Sequence, residues 1–371
     1  MKWTIACDAR PLSTPMSGVG RLIHEILWNF PEKENYQFLL FSHLEIHPDH
    51  ERILSLQNTT WKKIPKVLIN KGGFAWNFVL PFQLLFTKYD LFWGSQQVIP
   101  PLFSTKPVVL TFCDFVSLVF PETMRTVARW QQRIFQSYSI AKSDHCLSIS
   151  ENTRNELISF YGYNREHTSV SYPGVFTKLQ KLPNIKEIRG IQIPKQFFLS
   201  VSTVEPRKNY PFLFSVYSEY YQKQKQKAIP WVIAGKMGWE KKEFLDKLLD
   251  FANSTKKIIL LNSVTEEELH FLYAKASLFL FASTYEGFGI PLAEALVYNL
   301  PCVVSDIPTF REIGQNQVQY LETNSTTPWL KILERKSWKK TKADLQLFSW
   351  KKASEKTREA FASVLSQKQP N

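Results

Sequence analysis

A glycine-bracketed turn between an apolar run and a helical pattern carries two carboxylates. It spans residues 283–295 and reads Ser-Thr-Tyr-Glu-Gly-Phe-Gly-Ile-Pro-Leu-Ala-Glu-Ala. Gly287 and Gly289 allow backbone amides to approach a ligand closely, and the helix N-terminus that follows favours an anion such as a phosphate. Glu286 lies in the turn and Glu294 about one turn into the helix. The segment therefore predicts an anion site with carboxylates at two depths.

Two adjacent cations, Arg207 and Lys208, lie in residues 202–209, which read Ser-Thr-Val-Glu-Pro-Arg-Lys-Asn. A guanidinium that binds in a bidentate manner and an ammonium point charge together suit a diphosphate, and they stabilise it as a leaving group. An Arg-Lys pair on its own is usually a solvated surface feature. Its position directly after an apolar run, opposite the carboxylate segment, favours the functional interpretation.

A third segment, residues 17–21, reads Ser-Gly-Val-Gly-Arg and joins the first apolar run to the first helical pattern. Glycines at such a junction also serve turns and close helix packing, so a Gly-x-Gly is a weak signal by itself. Its position predicts that Gly18 and Gly20 line a cleft near the diphosphate.

The elements that position these segments can be predicted from the sequence. Short apolar runs alternate with helical patterns such as residues 22–30, and this alternation is typical of the β-α-β units of a parallel sheet. The predicted strands are 2–7, 37–41, 91–93, 108–112 and 146–149 in the first half, and 197–201, 231–234, 258–261, 278–281 and 301–305 in the second. The sequence thus predicts an α/β protein with two Rossmann-like domains, whose parallel sheets face each other across a cleft at the carboxyl ends of the strands.

The rhythm restarts after a polar stretch, which places the domain boundary near residues 175–190. We expect an N-terminal domain over 1–177 and a C-terminal domain over 190–347. Residues 348–371 read as an amphipathic helix, which we expect to pack back toward the N-terminal domain.

Composition and charge narrow the class of protein. The chain has 371 residues, of which 44% are hydrophobic and 21% charged, so we expect a globular protein of two domains. Its formal net charge of +13 attracts polyanions. Zinc-finger spacings, RNP-like aromatic boxes and long basic arms do not occur in the sequence, so nucleic acid is not expected as a partner.

Cysteine usage and the N-terminal residues indicate a cytoplasmic protein. Cys7, Cys113, Cys146 and Cys302 are far apart and form no CxxC pair, so neither a zinc site nor a disulfide framework is indicated. The N-terminal apolar stretch ends at Asp8 and is too short for a signal-peptide core.

A mixture of cations and aromatic residues precedes and enters the longest apolar run, residues 72–86, which is too short to span a bilayer. Such a mixture suits an anionic membrane surface, and the alternative is a buried helix with a solvated basic lead-in. Its members are Trp61, Lys62, Lys63, Lys66, Lys71, Phe74, Trp76, Phe78, Phe82 and Phe86.

The carboxylate segment, as EGFGxPxxEA, resembles the donor-site signature of the large retaining glycosyltransferase family known as family 4. The resemblance implies that Glu286 and the adjacent glycine amides hold the transferred sugar and that Glu294 bonds the nucleotide ribose. Carboxylates suit vicinal hydroxyls because one group accepts two charge-assisted hydrogen bonds. Residues 202–209 and 17–21 resemble the family's GTxEPRKN and TGIGRY elements, and further similarity in residues 92–100, 108–120, 148–151 and 172–174 extends the match over most of the chain.

The sequences of these motifs are similar to those of bacterial polysaccharide mannosyltransferases, a subgroup that typically uses GDP-mannose. The resemblance implies the GT-B fold, with the acceptor bound by the N-terminal domain (1–177) and the nucleotide-sugar donor by the C-terminal domain (190–347). It also implies a donor site without metal, with Arg207, Lys208 and Glu286 as catalytic residues. GDP-mannose is the favoured donor and a UDP-sugar stays open. The donor-binding residues it implies are Gly18, Gly20, Thr203, Arg207, Lys208, Gly235, Val264, Glu286, Gly287, Phe288, Gly289, Ile290 and Glu294.

One departure concerns Cys113 and Asp114, which we place on the acceptor or sugar side of the site. Many relatives have His-Asp here, so the imidazole that usually meets the donor sugar is replaced by a thiol, a poor hydrogen-bond donor. Asn299-Leu300, where the family has Gly-Thr, is expected only to alter a turn.

The expected activity is retaining transfer of a hexose, with mannose favoured, to a glycan or lipid-linked acceptor in polysaccharide or lipopolysaccharide synthesis. The expected location is the cytoplasm, at the inner membrane face. Two alternatives stay open: a catalytically weak sugar-nucleotide-binding subunit of a polysaccharide-assembly complex, which Cys113 suggests, and a nucleotide-sugar epimerase.

Overall fold

The computed structural model describes residues 2–65, 75–123, 126–339 and 345–367. The chain divides into two compact units. Unit 1 joins the chain up to Gly174 to the C-terminal segment from Leu347, and unit 2 is Val175–Gln346.

Unit 1 is built on a parallel sheet in the order β3-β2-β1-β4-β5-β6-β7. The order reverses between β1 and β4, since β1 pairs with β2 on one side and with β4 on the other. Strands buried on both faces read as continuous apolar runs, and β5 is fully buried. The strands are β1 Trp3–Asp8, β2 Tyr36–Ser42, β3 Thr59–Lys63, β4 Leu91–Gly94, β5 Val108–Phe112, β6 His145–Ser148 and β7 Thr168–Val170.

The helices of unit 1 connect these strands. The α-helices are α1 Gly18–Trp28, α2 Leu80–Leu85, α3 Val116–Val119, α4 Thr126–Lys142, α5 Glu151–Tyr161 and, at the C-terminus, α12 Trp350–Ser366. A π-helical turn, Ala75–Val79, runs into α2, and 3-10 turns lie at Arg10–Ser13, Lys33–Asn35, Pro48–Ser55, Pro121–Thr123 and Arg165–His167.

Helix α12 packs on unit 1 through both polar and aromatic contacts. The hydroxyl of Ser354 donates a hydrogen bond of 3.0 Å to the carbonyl of Ile26 on α1. The ring of Phe361 lies 5.9 Å from Phe30 and 5.6 Å from Trp93, centroid to centroid. The last helix of the chain is therefore part of the first domain's core.

Unit 2 repeats the plan with a parallel sheet in the order β12-β11-β10-β13-β14-β15. Its strands are β10 Phe198–Val201, β11 Trp231–Ala234, β12 Ile258–Leu261, β13 Leu278–Phe281, β14 Cys302–Ser305 and β15 Gln319–Leu321, preceded by a two-stranded antiparallel hairpin of β8 Glu187–Ile188 and β9 Ile191–Gln192. Its α-helices are α6 Tyr210–Gln224, α7 Lys242–Thr255, α8 Glu266–Lys275, α9 Ile290–Val297, α10 Pro308–Gly314 and α11 Thr327–Leu333, with 3-10 turns at Pro206–Lys208 and Lys225–Lys227.

The central strands of unit 2 are joined by a buried polar chain. Trp231 on β11 donates its indole N–H to the hydroxyl of Ser200 on β10, at 3.0 Å. That hydroxyl donates in turn to the carbonyl of Leu280 on β13, at 2.7 Å. Because buried polar groups are costly without partners, this chain fixes the three strands beside which the site lies.

The prediction of two Rossmann-like α/β domains is confirmed, and most predicted strands agree to within a residue or two. The short hairpin of β8 and β9 was not predicted, nor were three strands of the parallel sheets: β3, β7 and β15. All three are edge strands, and they are only partly buried. Edge strands need no continuous apolar run, which is the signal that identified the others.

The cations and aromatic residues of positions 61–86 differ in how exposed they are. Trp76 is buried, so it does not face solvent as a membrane-surface residue would. Phe78, Phe82 and Phe86 are exposed, so the helix is buried on one side and open on the other. Lys66, Lys71 and Phe74 lie outside the described residues. No helix in the described ranges is long and apolar enough to cross a membrane.

Candidate active site

The candidate site lies at the carboxyl ends of β10 and β13, which are neighbours in the sheet of unit 2. The strand order reverses between them. Loops leaving such a pair diverge to opposite sides and open a crevice, the usual ligand position in an open parallel sheet. The loop after β10 carries Arg207 and Lys208, and the loop after β13 carries Glu286.

Arg207, Lys208 and Glu286 meet in one ion-paired cluster. The Nη1 atom of Arg207 donates to Oε2 of Glu286 at 2.6 Å. The ammonium of Lys208 donates to Oε1 of the same carboxylate, which also accepts from the hydroxyl of Ser283 at 2.8 Å. The two segments predicted to act together are thus in direct contact.

Backbone contacts hold the two loops together. The amide of Thr284 donates to the carbonyl of Arg207 at 2.9 Å. Nη1 of Arg207 donates to the carbonyl of Tyr285 at 3.1 Å, and the hydroxyl of Thr309 donates to the carbonyl of Glu286 at 2.7 Å. The cluster is therefore supported by the main chain of both loops and by a side chain from a third segment.

The cluster is buried, which rules out the solvated interpretation of the cation pair. Lys208 is 8% exposed and Glu286 is 5% exposed. Burial alone would raise the pKa of Glu286, but the charges of Arg207 and Lys208 and hydrogen bonds from Lys208 and Ser283 outweigh it and lower that pKa to about 2. Glu286 is therefore ionised at neutral pH.

Lys208 experiences the opposite balance. Burial and then the neighbouring charge of Arg207 lower its pKa below the ordinary value, while Glu286 opposes that shift. A second negative group near the ammonium would stabilise its charged form further. An anionic ligand is thus electrostatically favoured at this position.

Glu286 retains capacity to accept a hydrogen bond. An ionised carboxylate offers about four lone-pair positions. Its side chain accepts three bonds: Oε1 from Lys208 and Ser283, and Oε2 from Arg207. The remaining position, on Oε2, suits one hydroxyl of a ligand.

Glu294 lies in α9 and is also buried, at 4% exposed. The hydroxyl of Tyr273 on α8 donates to its Oε2 at 3.0 Å. Neither carboxylate of the segment is therefore solvated.

Gly289 is the residue before α9 and has a φ of +95°, in the left-handed region. A Cβ atom here would also lie 2.8 Å from Cε1 of Phe310. Only glycine combines this backbone conformation with this packing. Phe288 beside it is buried, and Ile290 begins the helix.

The other residues predicted for unit 2 differ in how close they lie to the cluster. Gly235 directly follows β11 and lies against the loop that contains Thr203, since a Cβ on Gly235 would lie 2.0 Å from the carbonyl oxygen of Ser202. Val264 follows β12, the edge strand two positions from β10. It is half-buried, and its role stays a prediction.

Four predicted residues belong to unit 1. Gly18 and Gly20 form the first turn of α1, where the amide of Gly20 donates to the hydroxyl of the N-cap residue, Ser17, at 3.1 Å. Cys113 follows β5 and is 8% exposed. Burial, and then the charge of Asp114, raise the pKa of its thiol to about 12. Asp114 accepts a hydrogen bond of 3.2 Å from Gln97.

Several residues of the cluster were not predicted. Glu205, which pairs with Nη2 of Arg207 at 2.9 Å, and Ser283 lie within the recognised segments but were given no role. Thr309 reaches Glu286, and Tyr273 reaches Glu294, through tertiary contacts with no local signal. In the ranges that the structure describes, no group of three or more His, Cys, Asp or Glu side chains is arranged to hold a metal ion.

Comparisons with known proteins agree with this geometry. Residues 183–327, which contain the whole cluster, match the model of the family described as Glycosyl transferases group 1. The serotype-specific mannosyltransferase WbdA of Escherichia coli is 31% identical over 165 residues, which are 43% of this chain and 20% of WbdA. The chain thus spans about a fifth of the length of that relative.

Two further relatives are matched over more of their length. The O-antigen chain mannosyltransferase B of Escherichia coli is 26% identical over 268 residues, 68% of this chain and 69% of that protein. RfbU, an O-antigen chain mannosyltransferase of Salmonella typhimurium, is 25% identical over 243 residues, 64% of each chain. The predicted resemblance to glycosyltransferases, and to bacterial polysaccharide mannosyltransferases among them, is confirmed.

Solved structures share the whole architecture. WaaG, a glycosyltransferase involved in lipopolysaccharide biosynthesis, has a TM-score of 0.67 at 14% identity and covers 98% of each chain. HepE of Anabaena, solved with UDP and glucose, has a TM-score of 0.62 at 16% identity over 99% of this chain and 98% of its own. The fold is GT-B, as predicted.

Proposed function

We propose that the protein is a metal-independent, retaining glycosyltransferase of polysaccharide or lipopolysaccharide synthesis. It moves a hexose, with mannose favoured, from a nucleoside-diphosphate sugar to a glycan or lipid-linked saccharide. The observation that carries this proposal is the buried contact of Arg207 and Lys208 with Glu286 at the point where the strand order of unit 2 reverses.

Donor binding exchanges the partners within this cluster. Arg207, Lys208, Glu205 and Glu286 carry formal charges that cancel, so a diphosphate adds negative charge to a neutral group. The cations then turn toward the phosphates, and sugar hydroxyls replace them as donors to Glu286. Because the cations then pair with the phosphates and Glu286 still accepts hydrogen bonds, no buried charge is left without a partner, which would be costly.

The transfer step follows from the same groups. The acceptor hydroxyl oxygen bonds to the anomeric carbon on the face from which the nucleotide departs, and the bond from that carbon to the phosphate oxygen breaks. The hydroxyl proton passes to a phosphate oxygen. Arg207, Lys208 and the N-terminus of α9 stabilise the charge that develops on the diphosphate, which is the role a divalent cation has in other glycosyltransferases.

The donor is proposed to be GDP-mannose, with a UDP-sugar as the alternative. Mannose is favoured because three relatives are named as mannosyltransferases. The alternative is kept because a protein of the same fold was solved with UDP-glucose. We assign donor binding to unit 2, including Thr203, Gly235, Gly287, Phe288 and Glu294, and acceptor binding to unit 1.

We place the protein in the cytoplasm at the inner membrane face, where a lipid-linked acceptor would be available.

A second candidate function is that of a sugar-nucleotide-binding subunit with little activity of its own. It is favoured by Cys113, whose buried, protonated thiol offers a donor sugar a weaker hydrogen bond than an imidazole would. Transfer by the isolated protein separates the two, since only the enzyme produces free nucleoside diphosphate in step with a glycosylated acceptor.

The direct test is a thermal-unfolding screen against GDP-, UDP- and dTDP-sugars in the presence of EDTA. A ligand that binds the folded chain raises its Tm by mass action. We expect GDP-mannose to give the largest increase. If no nucleotide sugar raises the Tm at millimolar concentration, the proposed donor site is wrong.

A further inference from the structure

The helical segment of residues 75–86 is apolar on two opposite sides. Trp76, Leu80 and Leu84 are buried in the core of unit 1. The other side carries Phe78, Phe82, Leu85 and Phe86, at positions that fall on one face of a helix. A helix that is apolar all round is normally buried or in contact with a membrane.

This outer side is open to solvent. Phe86 is 88% exposed, and Phe78, Phe82 and Leu85 are 58%, 59% and 49% exposed. Phe103, in the loop between β4 and β5, extends the surface: it is 59% exposed, and its ring lies 5.5 Å from that of Phe82. We call these five residues the aromatic face. Exposed apolar clusters of this kind mark interaction sites.

Cations border the aromatic face. Lys88 and Lys106 are exposed and line a surface cavity of about 390 Å³ together with Thr4, Thr87, Tyr89 and Asp90. Lys142 donates to the carbonyl of Ser104, the residue after Phe103, at 3.2 Å. These lysines lie beside the ends of the two segments that carry the aromatic residues.

The nearby carboxylates are already engaged with the main chain. Asp90 accepts a hydrogen bond from the amide of Thr4, and Asp144 accepts one from the amide of Val108, both at 2.8 Å. The formal net charge of the whole protein is +13. The three lysines outnumber these two aspartates, so the summed formal charge at this surface is positive and favours an anionic partner.

From this combination we propose that the aromatic face docks on the surface of an anionic lipid bilayer. The five apolar side chains enter the boundary between headgroups and acyl chains, and Lys88 and Lys106 receive a lipid phosphate at the cavity. A helix bound through one face in this way lies in the plane of the interface, held by both apolar burial and attraction to anionic lipid. The inference rests on the membrane location proposed above and identifies the surface responsible.

Vesicle flotation of the full chain tests this proposal. With vesicles of phosphatidylcholine containing about one third phosphatidylglycerol we expect binding that weakens as salt is raised, because salt screens exposed charges. With phosphatidylcholine alone we expect at least about tenfold weaker binding. Equal binding to both kinds of vesicle, or none to either, would overturn the proposal.

Paired variants separate the apolar and charged contributions. Phe82→Ser with Phe86→Ser should weaken binding about tenfold or more, since two phenyl groups no longer leave water. The matched control is Leu54→Ser, because Leu54 is an exposed apolar residue elsewhere on unit 1.

Lys88→Gln with Lys106→Gln should also weaken binding to anionic vesicles. Its control, Lys351→Gln with Lys352→Gln, removes the same charge from exposed positions on α12. Variants that match their controls would contradict the assignment.

Two readouts keep this inference distinct from the proposed function and from self-association. Binding of a nucleotide sugar should be equal in all these variants, so loss of vesicle binding with retained donor binding concerns the aromatic face alone. Sedimentation of the protein without lipid tests whether the aromatic face binds a second copy of the chain instead. A dimer of the wild-type chain that the Phe82→Ser, Phe86→Ser variant abolishes would show that the face binds a second copy, and would overturn membrane docking.

Discussion

The ammonium of Lys208 donates a hydrogen bond to Oε1 of Glu286, a residue 78 positions further along the chain. Each side chain comes from a different loop, and both are almost inaccessible to solvent. Removing one partner of a buried pair costs more than the pair contributes, because the other charge is left without compensation. The bond therefore links the folding of unit 2 to the chemistry proposed for it.

Replacing either member of this pair should reduce function in different ways. Lys208→Met should weaken donor binding and Glu286→Gln should mainly lower kcat, each by roughly 10–1000-fold, the range for lost electrostatic contacts in active sites. Titration calorimetry and steady-state kinetics separate the two effects. Lys242→Met is the control, because that ammonium pairs with Asp246 on the surface. If both site variants match this control, the donor site lies elsewhere.

Gly289→Ala should destabilise unit 2 and weaken donor binding. The new methyl group would meet Phe310 at 2.8 Å in a backbone with a φ of +95°, and strain of this kind costs roughly 1–3 kcal/mol. Gly162→Ala is a matched control, since its φ is +62° but nothing lies within 4 Å of the added Cβ. Urea unfolding should show the larger loss for Gly289→Ala, and only that variant should bind donor less well. Equal losses would contradict the packing argument.

The buried pair of His24 and His50 predicts that unit 1 loses stability in mild acid. Their Nδ1 atoms lie 3.1 Å apart, and Arg52 donates to Nε2 of His24. Burial, then the charges of Arg52, His50 and Arg21, lower the pKa of His24 to about 3. The unfolded chain, with a histidine pKa of about 6.5, therefore binds the proton more readily, and stability falls as the pH decreases from about 6.5 toward 3.

Urea unfolding at pH 7 and at about pH 5 measures this effect in a range where Glu286 stays ionised in the folded protein. His24→Gln keeps an acceptor for Arg52 but cannot titrate, so the variant should lose less stability between the two pH values than the wild type does. His145, whose pKa is lowered to about 4 mainly by burial, remains in both proteins and contributes equally. An unchanged difference would show that His24 is not responsible.

The thiol of Cys113 should be slow to alkylate in the folded protein. Burial and Asp114 raise its pKa to about 12, and only the thiolate reacts. Mass spectrometry of the peptide containing Cys113 after iodoacetamide treatment near pH 8 should show little labelling until the chain unfolds. Labelling as fast as in urea would contradict the buried position. Cys113→Ser should be nearly silent.

Cys113→His tests the link to the donor sugar. If this position meets the sugar, an imidazole should raise the transfer rate or change donor preference. An inert variant that still folds would show that the side chain has no part in transfer.

Much of the fold could be predicted because most central strands are continuous apolar runs. β3, β7 and β15 could not, since edge strands carry polar residues such as those of Thr59–Lys63. Within the site, Arg207, Lys208 and Glu286 were predicted from local motifs. The donation from Tyr273 to Glu294 and that from Thr309 to Glu286 depend on how α8 and α10 pack, and no local pattern encodes either.

The central claim is that unit 2 binds a nucleotide sugar through Lys208 without a metal. Titration calorimetry of the full chain with GDP-mannose in EDTA tests it most directly, with UDP-glucose as the comparison. The account predicts saturable binding of a nucleotide sugar that Lys208→Met weakens at least about tenfold and Lys242→Met leaves unchanged. Binding that requires added magnesium or manganese, or that Lys208→Met does not affect, would contradict it.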